Sequence, residues 1–285
     1  MNERQWKLLD ILSETSSFFA GKKIENARLQ AEILLADVLN MRRLDLYLEF
    51  ERPLTAAEVD AYRKHVKKRL DGMPIQYITG ETGFRELILN VSEAVLIPRP
   101  ETEILVQIAL DRLADLTAPR VLDLGCGSGA IALAIAQEHP SAQLTATDIS
   151  PQALEVTQQN AERNEIPDRL TLLCGDLFAP IAAERFDAIL SNPPYVCHGE
   201  IATLAPEVRD HEPHQALDGG ADGLDFYRRI AAEAPSVLTP TGFLCLEAGD
   251  TQAPPVSSLL KAAGFSQADI HPDLNDISRV VLATV

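Results

Sequence analysis

From Arg120 onward, apolar runs alternate with stretches of helical period, and this alternation constrains the fold more than any other feature. Strand-like runs fall at 120–124, 142–147, 169–173, 186–191, 242–247 and 279–284. Helix-like runs fall between them, at 129–138, 151–164, 225–237 and 253–263. Apolar strands that follow one another through helices predict an α/β fold, with a mostly parallel sheet covered on both faces. Ligands of such sheets sit at the carboxyl ends of the strands.

The first part of the chain has a different grammar. Residues 1 to about 72 read as helical. Ala27, Ala31, Leu34, Leu35 and Val38 recur at helical spacing, with Asn26 as a candidate cap. A further helix follows Pro53-Leu54-Thr55, with Thr55 as N-cap and Glu58 three residues on, and it ends near Asp71-Gly72. Residues 74–97 mix Tyr77, Phe84, Leu87, Leu89, Val91, Val95 and Leu96 with Gly80 and Gly83, a β-hairpin pattern. Pro98-Arg99-Pro100 breaks the chain, and a helix starts near Glu101. The expected division is a helical domain over 1–73, a hairpin linker over 74–97 and the sheet domain over 98–285. A length of 285 residues suits two domains better than one.

Charge narrows the function. Residues 1–85 hold 14 Lys/Arg against 13 Asp/Glu, and residues 86–285 hold 11 against 29. An acidic half repels phosphate backbones, so no stable nucleic-acid binding is expected. The run Arg63, Lys64, Lys67, Lys68, Arg69 reads as a solvated helix face. Cys126, Cys174, Cys197 and Cys245 show no CxxC spacing and no Cys/His cluster. Four reduced thiols and no metal are therefore expected. No apolar run is long enough to cross a bilayer, and Met1 to Asp10 carries charge where a secretion signal would be apolar. A cytoplasmic protein without a membrane partner is the expectation.

Two segments carry chemistry. The strand Val121–Leu124 runs into Gly125-Cys126-Gly127-Ser128-Gly129, a turn whose glycines let a ligand approach the backbone. Gly125-x-Gly127-x-x-Ala130 also fits a dinucleotide fingerprint. Asp148 ends the next strand, where an acid can bond ribose hydroxyls; it could instead cap the helix that starts near Pro151. Ser191-Asn192-Pro193-Pro194-Tyr195 follows the strand Phe186–Leu190. Consecutive prolines fix the backbone and remove two donors. What remains is a rim of acceptors, the Asn192 side-chain oxygen and the Pro193 carbonyl, with Tyr195 as a flat face. A planar NH2 group has two hydrogens to give such a rim.

With Asn192 to Tyr195 the sequence resembles the amino-methyltransferases that carry Asn-Pro-Pro-Tyr. Within them it resembles the release factor glutamine methyltransferases, the PrmC/HemK family, over nearly its whole length. Pro74–Gly80, Leu96–Glu103, the glycine turn, Glu212-Pro213, Gly219-Gly220, Gly223–Tyr227 and Ser278–Val281 carry the likeness. The run Pro98 to Thr102 separates it from the related ribosomal-protein glutamine methyltransferases. The resemblance implies a seven-stranded, Rossmann-like class I methyltransferase domain behind a small helical-bundle domain that recognises substrate. It implies S-adenosylmethionine as methyl donor, S-adenosylhomocysteine as product, and release factors as protein substrates methylated on a Gly-Gly-Gln glutamine.

The resemblance also implies cofactor contacts by Gly125, Cys126, Gly127, Ser128, Gly129, Asp148 and Asn192. Asp176 would meet the adenine amino group and Leu177 would pack on the ring, where relatives often have an aromatic residue. Ala248 stands where relatives more often have isoleucine. Asn192, Pro193, Pro194 and Tyr195 would hold the reacting amide. His198, close to them in sequence, is read from that proximity alone as a rim residue. A monomer is expected. The rival readings are a glutamine methyltransferase acting on a ribosomal protein, a DNA adenine N6-methyltransferase, a dinucleotide-dependent oxidoreductase and a non-catalytic adaptor. The oxidoreductase leaves Asn192 to Tyr195 unexplained, and the DNA enzyme sits poorly with the acidic half.

Overall fold

The computed structural model describes residues 5–181 and 183–285. The first four residues of the charged start, which also open the expected 1–73 domain, lie outside them. No helix among the described residues is long and apolar enough to cross a membrane. Contacts divide the chain into a unit ending at Gly80 and a unit Glu81–Val285.

The first unit comprises α1 (Leu8–Gly21), α2 (Ala27–Leu39), α3 (Ala56–Leu70) and a short α4 (Ile75–Thr79), with a 3-10 turn at Arg43–Tyr47. Leu8, Leu12, Phe19, Leu34, Leu35 and Tyr62 bury their side chains together. The Tyr62 hydroxyl donates to the Ala31 carbonyl at 3.1 Å, so its burial leaves no unpaired donor. The capping box at α3 forms as its sequence predicts. Thr55 Oγ1 accepts from Glu58 N–H at 3.2 Å, and the Glu58 carboxylate accepts from Thr55 N–H at 2.8 Å. Asn26 does not cap α2. Its backbone is left-handed, at φ 49, and its side chain makes no cap bond. A capping side chain reaches the first turn from extended backbone. Arg63, Lys64, Lys67 and Lys68 are exposed on α3.

Residues 75–79 are helical rather than part of a hairpin, because Pro74 opens a single turn there and Gly80, at φ 77, closes it. The hairpin itself is β1 (Glu81–Phe84) and β2 (Leu87–Asn90), paired antiparallel. The second unit continues with α5 (Thr102–Leu113), β3 (Arg120–Leu124), α6 (Ala130–Glu138), β4 (Gln143–Asp148), α7 (Pro151–Arg163) and β5 (Leu170–Cys174). Then come β6 (Phe186–Ser191), α8 (Pro206–His211), α9 (Asp225–Val237), β7 (Leu238–Glu247), α10 (Ala253–Ala262), β8 (Gln267–Pro272) and β9 (Ser278–Thr284).

These strands form one seven-stranded sheet in the order β5-β4-β3-β6-β7-β9-β8. All neighbours are parallel except β9, which runs antiparallel between β7 and β8. Side chains alternate across it. Val121, Leu144 and Leu190 pack with α5 and α6 on one face, while Leu122, Leu124, Ile189 and Leu246 pack with α9 and α10 on the other. Together these strands and helices make a Rossmann-like, mostly parallel sheet domain, which follows the helical unit in the chain. Strand β8 escapes the apolar pattern because it is an edge: only Ala268 on it is buried, and Ile270 is exposed.

Candidate active site

Strands β3 and β6 are parallel neighbours, with Asp123 opposite Leu190. β4 lies on the other side of β3, so strand order reverses here, and a crevice opens at the carboxyl ends. β3 feeds the glycine turn and β6 feeds Asn192, which brings segments far apart in sequence side by side. A cavity of about 320 Å³ occupies the crevice. Gly125, Cys126, Gly127, Ser128, Asp148, Asn192 and Pro194 line it. So do Val95, Leu96, Pro98, Thr102, Ile149, Pro213 and Gln215, none of which was among the expected site residues. Gly129, Asp176, Leu177, Pro193 and Tyr195 are not among its lining residues.

The turn is held from several sides. Gly125 and Gly127 adopt φ of 70 and 55, which a side chain would strain. The N–H groups of Gly125 and Cys126 donate to the Thr147 carbonyl at 2.8 and 3.0 Å. Gly129 is the N-cap of α6. Behind the turn, Thr157 and Asn160 of α7 are fully buried. Thr157 Oγ1 donates to the Gly127 carbonyl at 2.8 Å, and Asn160 Nδ2 to the Ser128 carbonyl at 2.9 Å. Asn160 also exchanges bonds with Asn90, accepting its N–H at 2.6 Å and donating to its carbonyl at 3.0 Å. It thus ties the hairpin to the turn. Their signal in the sequence is slight: two polar residues three apart on a face that is otherwise alanine.

Asp148 reaches back under the turn. One carboxylate oxygen accepts from Gly127 N–H and the other from Ser150 N–H, both at 2.9 Å. The cap of α7 is Ser150, whose Oγ accepts from Ala153 N–H at 3.2 Å. The spare lone pairs of Asp148 therefore border the cavity. An accepting carboxylate beside an apolar wall of Val95, Leu96, Ile131 and Ile149 suits a nucleoside, with its hydroxyls donating to the acid and its ring on the wall. Deeper in, Asp123 is fully buried. Burial pushes its carboxyl up to about 7. One oxygen accepts from Ala132 N–H at 3.1 Å and the other has no partner.

Asp176 is elsewhere. It pairs with Arg229 at 2.7 Å on the surface, and Leu177 turns into the core beneath the sheet with φ 46. His198 is exposed and bonds Asp218 at 2.7 Å, also outside the cavity lining.

On the opposite wall, Asn192 Nδ2 donates to Thr102 Oγ1 at 3.2 Å, and Thr102 Oγ1 donates to the Glu247 carboxylate at 2.6 Å. Tyr195 packs its ring against the α9–α10 side of the sheet. Burial first, then the nearby Glu247 charge, pushes its phenol up to about 12, so it stays neutral. Its carbonyl accepts from Gln252 Nε2 at 2.9 Å. Beyond Tyr195 the chain is zipped to residues 217–220: Val196 N–H donates to Leu217 O, and Gly219 N–H donates to Val196 O. A strap over the cavity carries Pro213 and Gln215. It is pinned by Glu212, nearly fully buried, whose two oxygens each lie 2.7 Å from Arg99.

Two family profiles match the chain: PrmC N-terminal domain over residues 10–80, and Methyltransferase small domain over residues 101–208. The release factor glutamine methyltransferase of Geobacter sulfurreducens is 44% identical over 276 residues, covering 97% of this chain and 96% of that one. Its counterpart from Chlorobaculum tepidum is 42% identical, over 97% of each chain. Among solved structures, the hMettl16 catalytic domain in complex with MAT2A 3′UTR hairpin 1 has a TM-score of 0.59 at 15% identity, covering 95% of this chain and 90% of that one. A methyltransferase from Pyrococcus furiosus has a TM-score of 0.52 at 18% identity, over 78% of this chain and 98% of that one. At such identities these two show the fold alone.

Proposed function

The chain belongs to the release factor glutamine methyltransferases, and from that premise we propose that it methylates the side-chain amide nitrogen (N5) of the Gly-Gly-Gln glutamine in peptide-chain release factors. The observation that carries this reading is the position of Asn192. It stands at the end of β6 beside the glycine turn, with Nδ2 engaged by Thr102 and no partner for Oδ1 among the described residues. Oδ1 is thus available to an incoming N–H. The relatives' names favour a release factor over a ribosomal protein or DNA adenine as substrate.

S-adenosylmethionine, when bound, supplies an electrophilic methyl group on a sulfonium. The glycine turn and Asp148 would hold its nucleoside and amino-acid parts. An amide nitrogen is a poor nucleophile because its lone pair is delocalised into the carbonyl. Asn192 Oδ1 and the Pro193 carbonyl accept both amide hydrogens and turn the nitrogen toward the methyl. Positioning of this kind contributes up to roughly 7–11 kcal/mol. No base is required before transfer, since the proton can leave afterward. The helical domain contributes to recognition of the release factor, and the enzyme works as a monomer in the cytoplasm. Methylation of purified release factor, followed by mass mapping of the modified residue, tests the reading. A methyl group on any other residue overturns it.

Two expectations arise here. Asp148→Ala weakens S-adenosylmethionine binding by roughly 1.5–3 kcal/mol, the range for hydrogen bonds to a charged group. Calorimetry that finds the affinity unchanged would reduce Asp148 to a brace for Gly127. The second concerns charge. Residues 86–285 hold 11 Lys/Arg against 29 Asp/Glu, and a protein that inserts a loop into an RNA site presents a basic surface around that loop. Complementary fields speed encounter and are screened by salt. Accordingly kcat/KM for intact release factor falls steeply as salt rises, while a short glutamine peptide is a poorer substrate with a flatter response. Equal salt slopes for the two would leave the acidic surface without a part in recognition.

A further inference from the structure

We propose that Thr102 and Glu247 are positioning residues that set which way the Asn192 amide faces, an inference that rests on the methyl-transfer reading above. An asparagine amide has a donating end and an accepting end of nearly the same shape. Only the accepting end suits a glutamine NH2 group. Something must therefore hold Oδ1, and not Nδ2, toward the substrate.

The structure supplies a directional chain. Glu247 ends β7 and is 1% exposed; Thr102 opens α5 and is 4% exposed. A threonine hydroxyl has one proton. Thr102 gives it to the Glu247 carboxylate at 2.6 Å, so toward Asn192 it can only accept. It accepts from Nδ2 at 3.2 Å. Carboxylate, hydroxyl and amide each dictate the direction of the next bond, and Oδ1 is the end left over for the cavity. A buried carboxylate is costly, and a fold that needed only packing at this position would be better served by an apolar side chain.

The chain reverses when Glu247 takes a proton. A carboxylic acid can donate to Thr102, whose own proton then goes to Asn192. The amide answers by turning Oδ1 to Thr102 and Nδ2 to the cavity, where it opposes the substrate N–H groups donor to donor. The charged and titratable groups facing Glu247 come from several elements: Arg99 and Glu101 ahead of α5, Arg279 of β9, Tyr195, and Tyr227 of α9. Tyr227 donates its hydroxyl to the Glu247 carbonyl at 2.9 Å, not to the carboxylate. Arg279 is occupied by Asp250 at 2.7 Å and lies 3.5 Å from Asp273. Burial raises the Glu247 carboxyl to about 7, against the pull of Thr102 and Arg279. The reversal therefore falls inside the range where turnover is measured, and kcat acquires an acid limb.

The test compares kcat from pH 6 to 8 in the full-length enzyme with release factor as substrate. Thr102→Val keeps the shape and removes the hydroxyl. It lowers kcat at least about tenfold, leaves the Kd for S-adenosylmethionine within about threefold, and abolishes the acid limb. Thr102→Ser, which keeps the hydroxyl, recovers most of kcat and the limb. Glu247→Gln, neutral at every pH, loses the limb as well. A merely structural Thr102 would give no such difference in pH profile between serine and valine. Thr102→Val with kcat within about twofold of the parent, or with its limb intact, overturns the positioning role alone. A parent enzyme that transfers no methyl to release factor overturns the proposed function and this inference together.

Discussion

Gly223→Ala is expected to cut turnover by about 100-fold or more while the protein stays folded. A Cβ on Gly223 would lie 2.4 Å from the Tyr195 carbonyl oxygen and 2.3 Å from Gln252 Nε2, at a φ of 73 that already disfavours a side chain. Gly219 makes a similar approach, with the Tyr195 Cα at 2.7 Å and the Pro194 oxygen at 2.8 Å from its would-be Cβ. The obstacles are mostly backbone, so they cannot swing away. The segment that must shift is Pro194-Tyr195, separated from Asn192 by Pro193 alone. The Gln252 bond to the Tyr195 carbonyl would go with it. Misplacement by about 1 Å at a reacting centre costs on the order of 100-fold. Gly199→Ala is the control, since nothing lies within 4 Å of its Cβ position. Steady-state kinetics beside a thermal melt decide the matter. A Gly223→Ala enzyme with both full activity and an unchanged melt would show that the loop yields without moving the acceptor.

Asn192→Ala is expected to lower kcat by at least about tenfold with S-adenosylmethionine affinity changed only a few-fold. The side chain lines the cavity with Nδ2 held by Thr102, and in the proposed mechanism its oxygen meets the reacting amide. Alanine leaves the backbone between β6 and Pro193 in place, so the prolines still shape the rim. Water fills the vacated space and gives no fixed acceptor, so the glutamine nitrogen is less often turned to the methyl. The division between kcat and cofactor affinity is the informative part. Near-normal turnover would remove Asn192 from the mechanism, and a large loss of cofactor affinity would recast it as a cofactor contact.

The glycine turn, Asp148, Asn192 and Pro194, which line the cavity, could be picked out in the sequence because each has local grammar. Glycines after an apolar strand and two prolines after another are legible without a fold. What could not be read is what meets what. Thr102 stood at a helix start, in a run that carries the family likeness, and Glu247 at the end of an apolar strand, and neither showed a chemical role in the sequence. Their alliance with Asn192 exists only because β6 and β7 are neighbours and α5 packs on the sheet face beside them. Thr157 and Asn160 are likewise ordinary in a helix until α7 lies behind the glycine turn. The hairpin was expected over 74–97, yet its first residues are helical, because a one-turn helix bounded by proline and glycine has too few residues to show a period. Asn26 had the right chemistry for a cap and the wrong backbone, and side-chain type does not report φ. Strand β8 has too little buried surface to leave an apolar trace.

The buried acids also bear on when the enzyme is most durable. Asp123 and Glu247 both have carboxyls raised to about 7 in the folded chain, from reference values of 3.8 and 4.5. Between those limits the folded state holds protons that the unfolded chain has released. Each acid therefore favours folding fully below its reference value, and that contribution fades as pH climbs to about 7. The direction of the Asn192 amide asks for the opposite, a charged Glu247. Robustness and competence thus pull against one another across mildly acidic pH. An effort to harden this enzyme by replacing its buried carboxylates with apolar side chains would be selecting, at Glu247, against the alignment of its own acceptor.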